Sequence, residues 1–490
     1  MASERRQLIP QQELHFEISD VSDLSIKCKE LLSPPTDIRP LVGGDCQESK
    51  NGATVFQTSL NITKLCMGTG TLALPFAAQK GGLVFNMVGL GVIVVWNYYS
   101  ADCLLRCLDY LPQKTDQTKN ECNNMKLSSA NQGAENREFY GAINDRFVVR
   151  IKNASDTRCS LPPEGTTTYG VVAWHACGSS GLIILDLLMV LLFVGLLIAY
   201  QVAIFSFIDG IIRGTGCRVY YKVFPSLVVV LLSCARDISF LSKFSVVGLL
   251  ALALSFGVIS WEGLKENGLS GFSDIMDVNF WPESLSAASS WFGVVVFGYG
   301  VVPFIFTFKD SMAKPSCIGV STKIGLTIAY AFYLFASNGI RILFLHAHSF
   351  DGDVLQALPD SPISLVVRLL MIFVVTVTAP LVAVPCGEMI EGKLGIYSND
   401  LIYKRVIIRS LLCVMCTLLA AFVPGFVNII SFVGCFCVSM TGFVLPPLFC
   451  LRLSNDTGTC FLRDVTLLLL GLITTAVTSI MTFHDLLDST

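Results

Sequence analysis

Eleven stretches of mostly apolar residues, each about 20 long or nearly so, recur along this chain. That length matches the width of a bilayer's hydrocarbon core, which a helix crosses in about 20 residues. They lie near 58–78, 84–107, 181–208, 222–235, 244–262, 288–308, 322–340, 363–388, 406–424, 427–450 and 464–484, and are called segments one to eleven. A backbone surrounded by lipid must satisfy its own amides and carbonyls, so an open chain crosses as helices. Composition points the same way. Charged residues make up 14% of the 490, against roughly 25% in a soluble chain, and 53% are hydrophobic. Most of the outer surface must therefore face a lipid bilayer. The expected fold class is all-α, a polytopic membrane protein with eleven transmembrane helices. A net charge of -3 provides no basic excess, which argues against a nucleic-acid partner.

Orientation follows from Lys and Arg, which stay on the cytosolic side. Most of the 34 basic residues fall in 1–57, 106–167, 235–243, 309–323, 393–409 and 452–463. The opposite loops hold Lys80, Arg213, Arg218, Lys222, Lys265 and Arg341. The expected layout is a cytosolic, largely disordered tail over 1–57, a membrane domain over 58–484 and a lumenal or extracellular end over 485–490. The polar insertion 112–167 between segments two and three is then cytosolic and disordered in part. No basic stretch followed by an apolar core opens the chain, so no cleaved signal is expected. The sequons at Asn153 and Asn455 would escape glycosylation on this map. The 18 cysteines, among them Cys66, Cys103, Cys386, Cys413, Cys416, Cys435, Cys437 and Cys450, lie in apolar runs without metal-ligand spacing. They read as small buried hydrophobes.

Two segments contain residues that a continuous helix does not favour. Segment one carries Met67-Gly68-Thr69-Gly70-Thr71 and then Pro75, and segment six carries Phe297-Gly298-Tyr299-Gly300 and then Pro303. Glycine weakens a helix and proline removes a donor, and in lipid an interrupted helix is tolerated only inside protein or along a cavity. Close helix packing is the other use of such glycines. Both sites, however, open blocks of five segments, the arrangement of an inverted 5+5 repeat whose substrate sits at the two breaks, with segment eleven added. Free amides at Gly68–Thr71 suit a carboxylate, and carbonyls around Phe297–Gly300 suit an ammonium. An α-amino acid carries one of each.

The run Lys64-Leu-Cys-Met-Gly-Thr-Gly-Thr-Leu-Ala-Leu-Pro-Phe-Ala-Ala-Gln-Lys-Gly-Gly82 resembles the first helix of the amino acid/auxin permease family. Phe297-Gly-Tyr-Gly300 with Ser311-Met-Ala-Lys-Pro315 is similar to segment six of its vacuolar branch. The resemblance covers 58–484 and implies the LeuT-like fold of the wider APC superfamily and amino-acid movement coupled to a cation gradient. Lys64 stands where sodium-coupled relatives resemble one another in an Asn, so the resemblance implies proton coupling, with sodium as the alternative and no cofactor. Lys64 could also reach the interface along its own stem. Proton-coupled members carry a His where this chain has Asn61, which leaves the proton carrier open. Asp186 is a candidate carrier or an interfacial partner of a cation, and Thr376 and Thr378 match where relatives hold an ion or water. Tyr299 is a candidate gate or ring contact. Asn97, Tyr200 and Gln201 read equally as ligand contacts or as hydrogen bonds between helices. Arg368 and Glu388 read as interfacial.

The tail begins with Glu4 followed four residues later by Leu8-Ile9, an acidic dileucine pattern of the kind adaptor complexes read. It favours a lysosomal, vacuolar or endosomal membrane over the plasma membrane. Two other readings stay open: an amino-acid sensor using the same site, and a sodium-coupled symporter at the cell surface. Without a metal cluster, phosphate loop or nucleophile–base pair, the chain does not read as an enzyme.

Overall fold

The computed structural model describes residues 52–111, 162–163, 166–212, 218–234, 239–268, 279–344, 354–357, 361–396, 402–422, 425–454 and 458–488. The dileucine residues Glu4, Leu8 and Ile9, most of the 112–167 insertion and both sequons lie outside them. Helix dominates the described residues, and eight helices are long and apolar enough to cross a membrane. Segments one, four and five fall outside that eight: one is divided, four is a helix of 16 residues over Arg218–Ser233, and five is Ser239–Asn267.

Local signals explain where several helices begin. Thr54 accepts from the Gln57 amide while the Gln57 side chain reaches back to the Thr54 amide, a capping box that starts segment one at Val55. Ser284 and Ser361 cap segments six and eight in the simpler way. Segment three departs most from its expected start. Thr167 caps a helix beginning at Thr168, and the helical run continues to Ile211 across a kink at Gly178, whose φ of 68° suits glycine.

Contacts between helix ends show how the segments alternate. Ala53, just before segment one, pairs with the stretch after segment six: its amide donates to Ser311 and its carbonyl accepts from Ala313, both at 2.9 Å. This end of the molecule is termed proximal. At the distal end, Leu83 and Phe85 of segment two donate to the carbonyls of Asn279 and Phe280, which precede segment six. Segments six and ten are central, with 72% and 83% of their apolar windows buried, whereas segment eleven has only 17%. Its Leu469, Ile473 and Ile480 face outward, as do Leu187 of segment three and Leu411 and Leu418 of segment nine. Such faces suit lipid.

Segments six and ten meet through bare backbone. A Cβ added at Gly293 would lie 2.2 Å from the Ser431 carbonyl oxygen, and one at Gly434 would lie 2.0 Å from the Gly293 carbonyl oxygen. Segment ten departs from α-geometry there, with π-turns over Gly434–Val438 and Met440–Val444.

Buried charges close the proximal end. Asp464, at the start of segment eleven, is 2% exposed and accepts from Arg106 of segment two at 3.1 and 3.2 Å and from Arg463 at 3.2 Å. Glu391 of segment eight likewise holds Arg405 and Arg409 at 2.8 and 2.7 Å. Removing one partner strands the other charge. Arg106→Ala is expected to cost on the order of 2 kcal/mol, below the cost for a fully buried pair because solvent still reaches Arg106. Thermal melts in detergent check it: an unchanged midpoint would show that the pair contributes nothing.

Arg368, expected near one end of segment eight, is 4% exposed, its guanidinium donating to the Gly210 carbonyl at 2.8 Å and the Leu355 carbonyl at 3.2 Å. Those oxygens, at the end of segment three and in the short turn Val354–Ala357, provide the polar contacts that let a charge sit among apolar neighbours.

Candidate substrate site

Segment one is two helices. The first, Val55–Cys66, stops at Met67 (φ -79°, ψ 54°); Gly68 is extended, a 3-10 turn covers Thr69–Ala73, and an α-helix resumes over Leu74–Gly81. Pro75 sits at the start of that second helix, where a missing amide costs nothing. The first amides of a helix lack an intrahelical acceptor, so Thr69 and Gly70 present donors, while the Thr71 amide and hydroxyl both bond the Gly68 carbonyl, at 3.1 and 2.7 Å.

Segment six breaks in the same manner. Leu285–Gly298 ends, Tyr299 to Val301 form a tight turn, and Val302–Phe304 leads into a second helix, Ile305–Ser311. The turn uses the Phe297 and Tyr299 carbonyls, which accept from Gly300 and Val301. Among the described residues, no loop or turn amide donates to the carbonyls of Gly298 or Gly300.

The two breaks touch. A Cβ at Gly70 would lie 2.8 Å from the Phe297 ring and 3.9 Å from the Gly298 Cα. The turn Thr69–Ala73 of one half of the chain thus lies against Phe297 and Gly298 of the other. Gly70, Thr71, Gly298 and Tyr299 are buried, and Met67, Gly68, Phe297 and Gly300 half-buried. Tyr299 is fully buried, its ring centroid lies 4.5 Å from that of Tyr333, and its hydroxyl has no partner among the described residues. Beside Gly68 the space is open, with only the Leu65 carbonyl oxygen near, at 3.8 Å. Gln57 and Asn61 are exposed and Lys64 half-buried on the face below it, so a polar stripe at helical spacing runs from the proximal end to the break.

Other expected residues lie elsewhere. Asp186 pairs with Lys393 at 2.5 Å, at the end of segment eight. Thr376 is buried and its hydroxyl has no partner among the described residues, and the Thr378 hydroxyl is turned back onto the Val374 carbonyl. Their helix packs mainly on segments three, four, five and nine. Gln201 accepts from Ser226 at 3.1 Å, a bond between helices, and Asn97 donates within its own helix to the Ile93 carbonyl at 2.9 Å.

Segment seven holds residues that sequence reasoning missed. Tyr333 donates to the Cys66 carbonyl at 2.7 Å, and its hydroxyl lies 2.4 Å from where a Cβ on Gly298 would be. Asn86 donates to Ser337 and Asn338, at 2.8 and 2.9 Å, and accepts from the Trp291 indole at 2.7 Å. Nothing local marks these residues, whose partners lie more than 200 positions away. Gly81 and Gly89 could have drawn attention to Trp291, since a Cβ at either would strike its ring.

Comparison with known proteins accords with this geometry. The family described as "Transmembrane amino acid transporter protein" matches residues 51–132 and 156–484, so the chain belongs to that family. It is a transporter protein rather than an enzyme. "Amino acid transporter ANT1" of Arabidopsis thaliana is 24% identical over 463 residues, 89% of this chain and 94% of that one. "Solute carrier family 38 member 10" of Mus musculus is 25% identical over 332 residues, 62% of this chain and 28% of the mouse protein. "Vacuolar amino acid transporter 3" of Schizosaccharomyces pombe is 22% identical over 468 residues, 92% of this chain and 61% of the yeast protein.

Proposed function

We propose that this protein is a secondary active transporter moving small neutral amino acids across an organellar membrane, coupled to protons, by alternating access around the breaks in segments one and six. The observation that carries the reading is the contact between the breaks, where Gly70 packs against Phe297 and Gly298; in this reading the Thr69 and Gly70 amides supply donors and the Gly298 and Gly300 carbonyls supply acceptors. The substrate carboxylate meets the amides, its ammonium meets the carbonyls, and Tyr299 borders both. Phe297 and Tyr333 fill the space over Gly70 and Gly298, which favours small side chains. An inverted 5+5 repeat within eleven crossings, with a cytosolic N-terminus, is the architecture that goes with this reading. The stripe of Gln57, Asn61 and Lys64 then gives the substrate a wetted route to the cytosol. Lys64 places a cation where sodium would otherwise bind, which favours protons. A vacuolar protein among the relatives and the Glu4, Leu8, Ile9 pattern, a docking sequence for adaptor complexes, favour an organellar membrane.

The test is the full chain in proteoliposomes with a panel of radiolabelled amino acids. Uptake of small neutral amino acids should follow an imposed proton gradient, collapse with a protonophore and survive replacement of sodium by choline. Sodium dependence would overturn the proton reading. One observation favours a second reading, an amino-acid sensor: the Ala53–Met312 bridge joins the root of the tail to the end of segment six. Ligand-induced stabilisation with no flux for any amino acid would select it.

A further inference from the structure

We infer that Tyr333 is a positioning residue that makes the segment-one break selective for a carboxylate; the inference rests on the substrate site proposed above. A helix end presents carbonyls that lack amide partners, and such an oxygen beside the Thr69 and Gly70 amides would repel an incoming carboxylate. The Cys66 carbonyl is the oxygen in question. It accepts from the Gly68 amide at 2.9 Å and from the Tyr333 hydroxyl at 2.7 Å, so both its lone pairs are engaged. Of the carbonyls near the break, the Leu65 oxygen lies 3.8 Å from where a Cβ on Gly68 would be, and the Cys66 oxygen is the one held by a side chain of segment seven.

Tyr333 is itself held from behind. Ser337 donates to the Tyr333 carbonyl at 2.6 Å and accepts from Asn86 at 2.8 Å, and Asn86 accepts from Trp291 at 2.7 Å. All four are buried, with Tyr333, Ser337 and Asn86 fully so. The π-turn over Phe335–Gly339 begins two residues after Tyr333 and contains Ser337. The chain of bonds starts in the distal half of segment six at Trp291 and finishes at Cys66 in the proximal half of segment one. Both broken helices are therefore registered against one tyrosine, and its ring lies on Tyr299. Segment seven is held firmly against segment one as well: the Thr63 hydroxyl bonds the Gly325 carbonyl at 3.0 Å, and Gly325 packs against Ile62 and the Ser59 carbonyl.

The experiment measures uptake of alanine, and its inhibition by alaninamide, which keeps the ammonium and lacks the carboxylate. Tyr333→Phe should raise the KM for alanine about ten-fold, the scale of one buried hydrogen bond, with Vmax nearly unchanged. The preference for alanine over alaninamide should shrink with it. Ser337→Ala, which leaves the Tyr333 hydroxyl in place but removes the bond to the Tyr333 carbonyl, should move both quantities in the same direction by less. Ser100→Ala, buried but outside this chain of bonds, should move neither. A ten-fold change in KM with the alanine-to-alaninamide ratio unaltered would overturn the inference, as would an unchanged KM. Loss of folded protein in both Tyr333→Phe and Ser337→Ala would overturn it in favour of a structural role. Absence of amino-acid uptake and of ligand-induced stabilisation in the wild type would instead strike the substrate site itself.

Discussion

Gly298→Val abolishes amino-acid uptake, lowering it at least about ten-fold, while leaving a protein that still reaches the membrane. The first atom of the new side chain falls 2.4 Å from the Tyr333 hydroxyl and 3.0 Å from its ring. Pushing the hydroxyl aside strains or breaks its bond to the Cys66 carbonyl, which carries the disturbance to the break in segment one. A forced shift of this kind costs ~1–3 kcal/mol, which a domain of this size tolerates and a substrate site does not, since about 1.4 kcal/mol is already ten-fold in affinity. Gly68→Ala supplies the contrast. Gly68 is extended, with open space beyond it, so alanine fits the backbone and any loss of uptake must come through the site. Uptake by proteoliposomes at matched protein content decides the matter. Wild-type uptake by Gly298→Val would show that Tyr333 and Gly298 do not form part of the working site.

Gly293→Val has the largest expected effect on the fold. Its Cβ would lie 2.2 Å from a main-chain oxygen of Ser431, with two more Ser431 main-chain atoms at 2.7 Å. No rotamer change can relieve a clash with backbone, so the cost exceeds the ~1–3 kcal/mol of an ordinary overpacked core. The expected result is loss of a monodisperse protein in detergent. Gly257→Ala, also in a helix but with nothing within 4 Å, should be neutral or stabilise by about 1 kcal/mol. Size-exclusion profiles and melting curves of the two variants should diverge. Equal behaviour would mean that segments six and ten do not approach as described.

How legible the molecule was depends on how local each determinant is. The breaks were readable because Gly68, Gly70 and Pro75, like Gly298, Gly300 and Pro303, alter the backbone at their own positions. Segment three was half-readable. Its start depends on Thr167, a local cap, but polar residues such as His175 and the kink at Gly178 hid the continuity of Thr168–Ile211 with the apolar run. The burial of Arg368 was not legible, because the carbonyls of Gly210 and Leu355 that accept from it are brought there by other parts of the chain. Tyr333, Ser337 and Asn86 were missed for the same reason. Each looks like one more polar residue in an apolar helix until the partner across the bundle is known, and a π-turn such as Phe335–Gly339 carries no sequence signature.

The crossing of Gly293 and Gly434 also bears on how the molecule can move. Where two rods touch main chain to main chain, with the Ser431 hydroxyl and the Cys435 thiol also bonded to the Ser290 and Ser289 carbonyls, little room is left for one to slide along the other. The distal half of segment six and the neighbouring turn of segment ten must then travel as one rigid lever. Any rocking of the protein pivots around that seam, and the freedom to bend is left to the stretch between Gly298 and Val301.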